Sequence, residues 1–257
     1  MDIKNGLKNT KKKYKMVSIT YTNDCLKNPR CSFCYLNRHD LLNKIGGINE
    51  EFNIHDHDKI LQNTEQVAIA FNGIYLFKLI RIFDKLHQFD NLKINLTTNP
   101  EFLNEGLIAI FKKFGKVKMV ALSLDPEKGS IGNWLKWAKK LKKKKIKVGA
   151  NILMLDSVYR ILPKILDSVF SVSDQIHLLR PKFYKSKIPL EVRRNLIFLQ
   201  TQKYKNIFID ECFKNEFLGV PCGRGKTFVS INANNQVTPC SFDLYPDKKR
   251  VKICPYI

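Results

Sequence analysis

Between residues 16 and 200 the sequence repeats one pattern: a short apolar run rich in β-branched residues, then a longer stretch with apolar residues at helical spacing. The runs are MVSITYT (16–22), QVAIAFNG (66–73), LKINLTTN (92–99), VKMVALSLD (117–125), IKVGANILML (146–155) and DQIHLLRP (174–181). The helical stretches include YLFKLIRIFDKLHQF, PEFLNEGLIAIFKKFG with Pro100 at its opening, VYRILPKILDSVF and PLEVRRNLIFLQTQ. Near-continuous apolar strands alternating with helices predict parallel β/α units. Six units in this length suit a curved, incomplete barrel. The expected fold class is α/β: a partial (β/α)6 TIM-like barrel with a small C-terminal β-hairpin extension. In such sheets the chemistry gathers at the carboxyl ends of the strands.

The texture changes after residue 204. NIFIDECF reads as a strand, and TFVSI, NANN and QVTPC read as strand, turn and strand, because Asn tolerates the positive φ of a turn. The expected divisions are a basic tail at 1–15, the β/α core at 16–203 and an extension at 204–257. His55 and His57 in IHDHD are expected on an exposed helix start.

The formal charge is +22. It collects in the N-terminal tail and in WLKWAKKLKKKKIK (134–147), where Trp134, Leu135, Ala138 and Leu141 make an apolar stripe and the lysines a solvated face. The charge fits either a polyanionic partner such as RNA or a Lys-rich proteome. No apolar run approaches a membrane span, and the N-terminus lacks an apolar signal core, so no membrane association is expected and the cytoplasm is the default location.

The seven cysteines fall in two groups. Cys25, Cys31 and Cys34 lie in the loop after the first strand, spaced Cys-x5-Cys-x2-Cys; Cys212, Cys222, Cys240 and Cys254 lie near the C-terminus. In a reducing compartment metal binding is the better reading than disulfides. One reading is a closed Cys3His zinc site with His39, which would make the chain a non-catalytic RNA-binding protein. The other is an iron-sulfur cluster, which soft thiolates suit; three cysteines leave one iron of a cubane open to a ligand. The position at the mouth of the sheet favours the second.

With that loop, the chain resembles the radical S-adenosylmethionine enzymes. They carry a three-cysteine loop after the first strand of a partial (β/α)6 barrel, with an aromatic residue before the third cysteine. CSFC supplies Phe33 in that slot, and the resemblance implies that it packs near the cofactor's adenine. The family's usual first gap is three residues where this chain has five. Its Gly-Gly-Glu-Pro-like stretch, which grips the methionine amino group, is replaced by AFNGIY, with Asn72 and Gly73 at that location. The resemblance further implies cofactor contacts from Asn99 at the end of the third strand, Ser123 and Asp125 at the fourth, Asn151 in the fifth and Arg180 after the sixth. Arg offers a planar fork for a carboxylate.

Cys222 and Cys240 resemble the SPASM and twitch extensions of the same family. Asn235 stands where their Gly-x4-Cys end has glycine. Cys254 or Cys212 would complete the ligands of an auxiliary iron-sulfur cluster. The resemblance implies a 4Fe-4S cluster on Cys25, Cys31 and Cys34, S-adenosyl-L-methionine as cofactor, and a flavodoxin- or ferredoxin-type electron donor. It implies reductive cleavage of S-adenosylmethionine to a 5′-deoxyadenosyl radical that modifies a peptide or protein, or a nucleic acid such as RNA. The altered AFNG stretch also allows a degenerate relative that keeps the cluster alone.

Overall fold

The computed structural model describes residues 13–27, 31, 34, 52–124, 131–182 and 184–241. The expected strands form: β1 (Tyr14–Ile19), β2 (Thr64–Phe71), β3 (Lys93–Thr98), β4 (Val117–Leu124), β5 (Lys147–Leu153) and β6 (Gln175–Leu179). Helices α1 (Asp58–Leu61), α2 (Leu76–His87), α3 (Glu105–Phe114), α4 (Ile131–Lys143), α5 (Asp156–Val169) and α6 (Leu190–Lys203) come between and after them. A short strand β7 (Ile207–Ile209) and helix α7 (Glu211–Leu218) add a further unit, and β8 (Phe228–Ile231) and β9 (Val237–Thr238) form the expected hairpin.

The nine strands of the described residues share one sheet, in the order β7-β6-β5-β4-β3-β2-β1-β8-β9, parallel except for the β8–β9 pair. From β1 to β7 the order never reverses. Right-handed crossovers therefore put every helix on the same face, and the other face turns inward. The C-terminal strand β8 pairs with β1 in parallel, far from β7 in the strand order. The link from β7 to β8 runs through α7 and residues 219–227, in which the Lys226 and Thr227 amides donate to the Gly223 carbonyl at 3.0 and 2.8 Å. A parallel sheet in this order, with its helices on one side, curves about its inner face as a partial TIM-like barrel.

The helix-side face of the strands holds the core. Val67, Ile69, Ile94, Leu96, Val120, Leu122, Val148 and Ile176 are buried with Leu79, Ile82, Phe83, Phe111, Trp134 and Leu166 of the helices. Each such side chain adds about 1.5–3 kcal/mol relative to exposure, so this face dictates strand register. The Lys-rich helix obeys the same rule: Trp134, Ala138 and Leu141 are buried, Leu135 packs partly against the core, and the Trp134 indole donates to the Leu122 carbonyl at 3.2 Å.

Three local expectations are corrected. The Pro100 segment is a 3-10 turn (Pro100–Phe102); α3 starts separately, capped by Asn104, whose side chain accepts from the Leu107 amide at 2.8 Å. NIFIDECF is a strand only to Ile209, because Asp210 accepts from the Phe213 amide and caps α7. His57 is buried, at 5% exposure, not on an exposed helix start. Its ring Nε2 lies 2.7 Å from Asn235 Oδ1.

Asn235 has φ of 61°, in the left-handed region. That backbone costs an ordinary residue about 1–2 kcal/mol, and Asn less. Its side chain more than offsets the cost: Oδ1 also accepts from the Asn53 amide at 3.2 Å, and Nδ2 donates to Asp56 Oδ2 at 2.5 Å. At about 1 kcal/mol per bond, the side chain staples the hairpin to the segment before β2. Asn235→Gly should therefore lose about 2 kcal/mol despite easing the backbone, and Asn235→Ala about 3 kcal/mol or more. Urea midpoints of the three proteins check the order.

Candidate active site

The cysteine loop leaves β1 under constraint. The Thr20 amide donates to the Ile231 carbonyl at 2.9 Å, extending the β1–β8 ladder by one bond. Tyr21 is fully buried, and its hydroxyl donates to the Ile74 carbonyl at 3.1 Å. Burial pushes its phenol well above the usual tyrosine range. Thr22 is buried and its Oγ1 accepts from the Asp24 amide at 3.0 Å, a local turn that aims the chain at Cys25.

The turn after β2 then locks the loop. The Leu26 amide donates to the Asn72 carbonyl at 3.0 Å, and Asn72 Nδ2 donates to the Asp24 carbonyl at 3.1 Å. The Tyr75 hydroxyl donates to Asp24 Oδ2 at 3.0 Å. Gly73 has φ of +85°, and a Cβ there would lie 2.8 Å from the Phe102 ring and 2.9 Å from Leu26 Cβ. Only glycine fits, for both reasons. Lys27 pairs with Glu101 at 3.2 Å, beside Asn99, whose side chain accepts from the Glu101 amide at 3.0 Å. The ends of β1, β2 and β3 thus form one interlocked rim.

Cys25, Cys31 and Cys34 are all half-buried, and the Cys34 amide donates to the Cys31 carbonyl at 2.9 Å, a tight turn. Among the described residues no three His, Cys, Asp or Glu side chains converge tightly enough for a single ion. Phe33, His39, Asp125 and Cys254 lie outside the described residues.

Other expected site residues sort by strand register. Ser123 is opposite Asn151, and Asn151 is opposite His177, so the three form a row across β4, β5 and β6. His177 Nδ1 lies 3.1 Å from Asn151 Oδ1, and its Nε2 lies 3.2 Å from Gln175 Oε1. On the neighbouring strands β3 and β2, Asn95 Nδ2 donates to Gln66 Oε1 at 3.0 Å. With Ser18, Ala68, Ala70, Thr97, Ala121 and Gly149 these residues alternate with the buried core positions. Met16, Met119, Leu153 and Leu179 share these positions, so the inner face mixes small and polar residues with a few larger apolar ones, as ligand-holding surfaces do. His177, Gln175, Gln66 and Asn95 went unread in the sequence. Their signal is the alternation within QIHLL, EQVAIAF and INLTT.

Arg180 enters a different network. Its Nε donates to Glu216 Oε2 at 2.7 Å, and Arg193 pairs with Glu216 Oε1 at 3.0 Å, all three side chains being mostly buried. The Arg180 amide donates to Asp210 Oδ2 at 3.0 Å. Burial holds the Asp210 carboxyl above the usual range, against the pull of Lys182. Cys212 and Cys222 are half-buried and near enough to interact electrostatically, and Cys240 follows β9.

No protein-family model matches the sequence, nor does any curated protein. Solved structures match in fold. SuiB from Streptococcus suis aligns with a TM-score of 0.67 at 16% identity, over 93% of this chain and 63% of that one. The anSMEcpe structure with bound AdoMet and a Kp18Cys peptide aligns at 0.59 and 14% identity, over 93% of this chain and 80% of that one. Methylornithine synthase (PylB) aligns at 0.55 and 12% identity, over 93% and 78%. The chain thus spans under two thirds of the SuiB length, and at these identities the likeness is one of fold.

Two outcomes test the site. Gly73→Ala should destabilise the protein by about 2 kcal/mol, from positive φ and the Phe102 contact together. Adding Phe102→Ala should recover part of that relative to the sum of the single changes, read as coupling in a double-mutant cycle. His177 should titrate below the 6.5 of a free imidazole, because burial disfavours its charged form. In the window below 6.5 the unfolded chain then binds more protons than the folded one, so stability falls as pH drops. Histidine NMR titration gives the pKa, and His177→Gln should flatten that part of the stability profile.

Proposed function

We propose that the chain is a radical S-adenosylmethionine enzyme that modifies a peptide or protein residue. The observation that supports this most is the three-thiol loop at the mouth of a barrel whose fold is shared with an AdoMet-bound structure. The donor set fits: soft thiolates from Cys25, Cys31 and Cys34 suit iron-sulfur ligation, and the bonds from Asn72, Tyr75 and Thr22 fix the chain beside Cys25. When bound, the 4Fe-4S cluster would supply the electron that cleaves S-adenosylmethionine to methionine and a 5′-deoxyadenosyl radical.

The chain's own residues bind and orient the cofactor. Phe33 packs against the adenine. Asn72 Oδ1 accepts from the methionine ammonium, while its Nδ2 stays on the cysteine loop. Asn99, Ser123, Asp125 and Asn151 hydrogen-bond the ribose and polar groups along the inner face. Arg180, oriented by Glu216, faces the carboxylate. The buried strand ends exclude water around the reacting centre. An auxiliary iron-sulfur cluster rests on Cys222, Cys240 and Cys254; Cys212 is left out because the Lys182 ammonium already occupies its sulfur. A flavodoxin- or ferredoxin-type donor supplies electrons in the cytoplasm. The peptide bound in the anSMEcpe structure is the reason to favour a peptide or protein substrate over RNA.

A second reading has one observation behind it. Asn72 spends its carbonyl and its amide nitrogen on the cysteine loop, which leaves little of this turn to grip an ammonium group. A cluster-bearing protein without cofactor turnover would follow.

Anaerobically prepared protein should contain iron and sulfide, and the Cys25→Ala/Cys31→Ala/Cys34→Ala variant should lose roughly one cubane's worth, about four irons per chain. With dithionite and S-adenosylmethionine the wild type should form 5′-deoxyadenosine. Stoichiometric zinc without iron would overturn the cluster; full iron without 5′-deoxyadenosine would favour the second reading.

A further inference from the structure

Lys182 follows β6 and Cys212 is the second residue of α7. Lys182 Nζ lies 2.6 Å from Cys212 Sγ. An N–H···O bond settles at about 2.9–3.0 Å, and sulfur is a larger acceptor than oxygen. The two atoms are thus closer than an unbonded pair rests, at a separation that one bridging oxygen atom would span.

The surroundings hold them there. The Lys182 side chain is only 13% exposed, and its ammonium is 4.0 Å from Asp210 Oδ2. Asp210 is itself pinned by the amides of Arg180 and Phe213. Glu216, one turn along α7, ties the same helix to Arg180 and Arg193. Both partners therefore sit on segments fixed by independent bonds, so their approach costs little further ordering. Burial raises the Cys212 thiol and the Lys182 ammonium offsets that rise only in part, so it is the close approach of the two atoms, not an acidic thiol, that favours their joining.

We propose that Lys182 and Cys212 form a redox modification site, at which dioxygen joins Nζ to Sγ through one oxygen atom. The ammonium–thiolate pair and one dioxygen balance to the bridge and one water. An Nζ–O and an Sγ–O bond form, nitrogen and sulfur are each oxidised by an electron pair, and the second oxygen atom leaves with two protons from the ammonium. A dithiol opens the bridge by attack on Sγ: the Sγ–O bond breaks, Cys212 returns as the thiol when the dithiol closes to its disulfide, and the oxygen stays on Lys182 as an N-hydroxyl group. The bridge closes a loop from the end of β6 to the start of α7 and staples the α7 network in oxidising conditions. This inference is independent of the proposed activity, since it involves no cluster and no S-adenosylmethionine.

Intact and peptide mass spectrometry of the full chain, before and after exposure to air or dilute peroxide, tests it. The bridge adds roughly 14 Da (one oxygen gained, two hydrogens lost), on a cross-linked peptide pair containing Lys182 and Cys212, and dithiothreitol separates the pair and leaves the Lys182 peptide roughly 16 Da heavier. Lys182→Arg keeps the charge and should abolish the adduct; Cys222→Ser should leave it. The thermal midpoint should rise by a few degrees on oxidation of the wild type and not of Lys182→Arg. Persistence of the adduct in Lys182→Arg, its absence from oxidised wild type, or oxidation that joins Cys212 to Cys222 instead would overturn the proposal.

Discussion

The bonds between the loop after β1 and the turn after β2 hold the rest of the candidate site in place. Fixing a loop's backbone costs conformational entropy. Here the strand ends supply bonds to residues 21–26, from which the loop departs. Tyr21 anchors it below, Thr22 bends it, and Asn72 takes one bond in each direction across the gap. Gly73 lets the two segments touch at a distance no side chain would allow. These bonds pre-organise the Cys25 end of the loop.

The sheet supports that rim because its two faces have opposite chemistry. Branched apolar residues on the helix side bury and set register; small and amide side chains on the inner side leave room and offer hydrogen bonds. Register then does the positioning: Ser123, Asn151 and His177 come from positions scattered along the chain, yet occupy one row because parallel neighbours pair them. A neutral imidazole has a single N–H, so His177 donates to one flanking amide and accepts from the other once that amide is turned over. The burial that disfavours the imidazolium is consistent with this neutral arrangement.

The C-terminal stretch serves the barrel at both ends. At one end α7 gathers Glu216, Asp210 and Cys212 against residues that follow β6. At the other β8 flanks β1 and extends its ladder to Thr20, while Asn235 staples the hairpin to His57 and Asp56. The first strand, from which the cysteine loop departs, is therefore held on both sides. Asn235 illustrates how a turn residue chosen for its backbone acquires a second use: glycine would make the turn but not the staple.

Much of this was legible in the residues. Six strands, their order in the chain, the hairpin and the placing of three thiols after the first strand follow from local patterns, because apolar periodicity and turn chemistry act over a few residues. The inner-face amides were present as an alternation but hidden by a reading that treated the strands as uniformly apolar. Other features have no local signal. That β8 lies beside β1, that His57 is buried under Asn235, and that Lys182 meets Cys212 depend on segments 30 to about 200 residues apart. The amino-acid order determined which elements form and which residues carry chemistry. The tertiary structure decided which of those residues meet, because contacts across such spans arise only when the sheet sets its strands and the segments that follow them side by side.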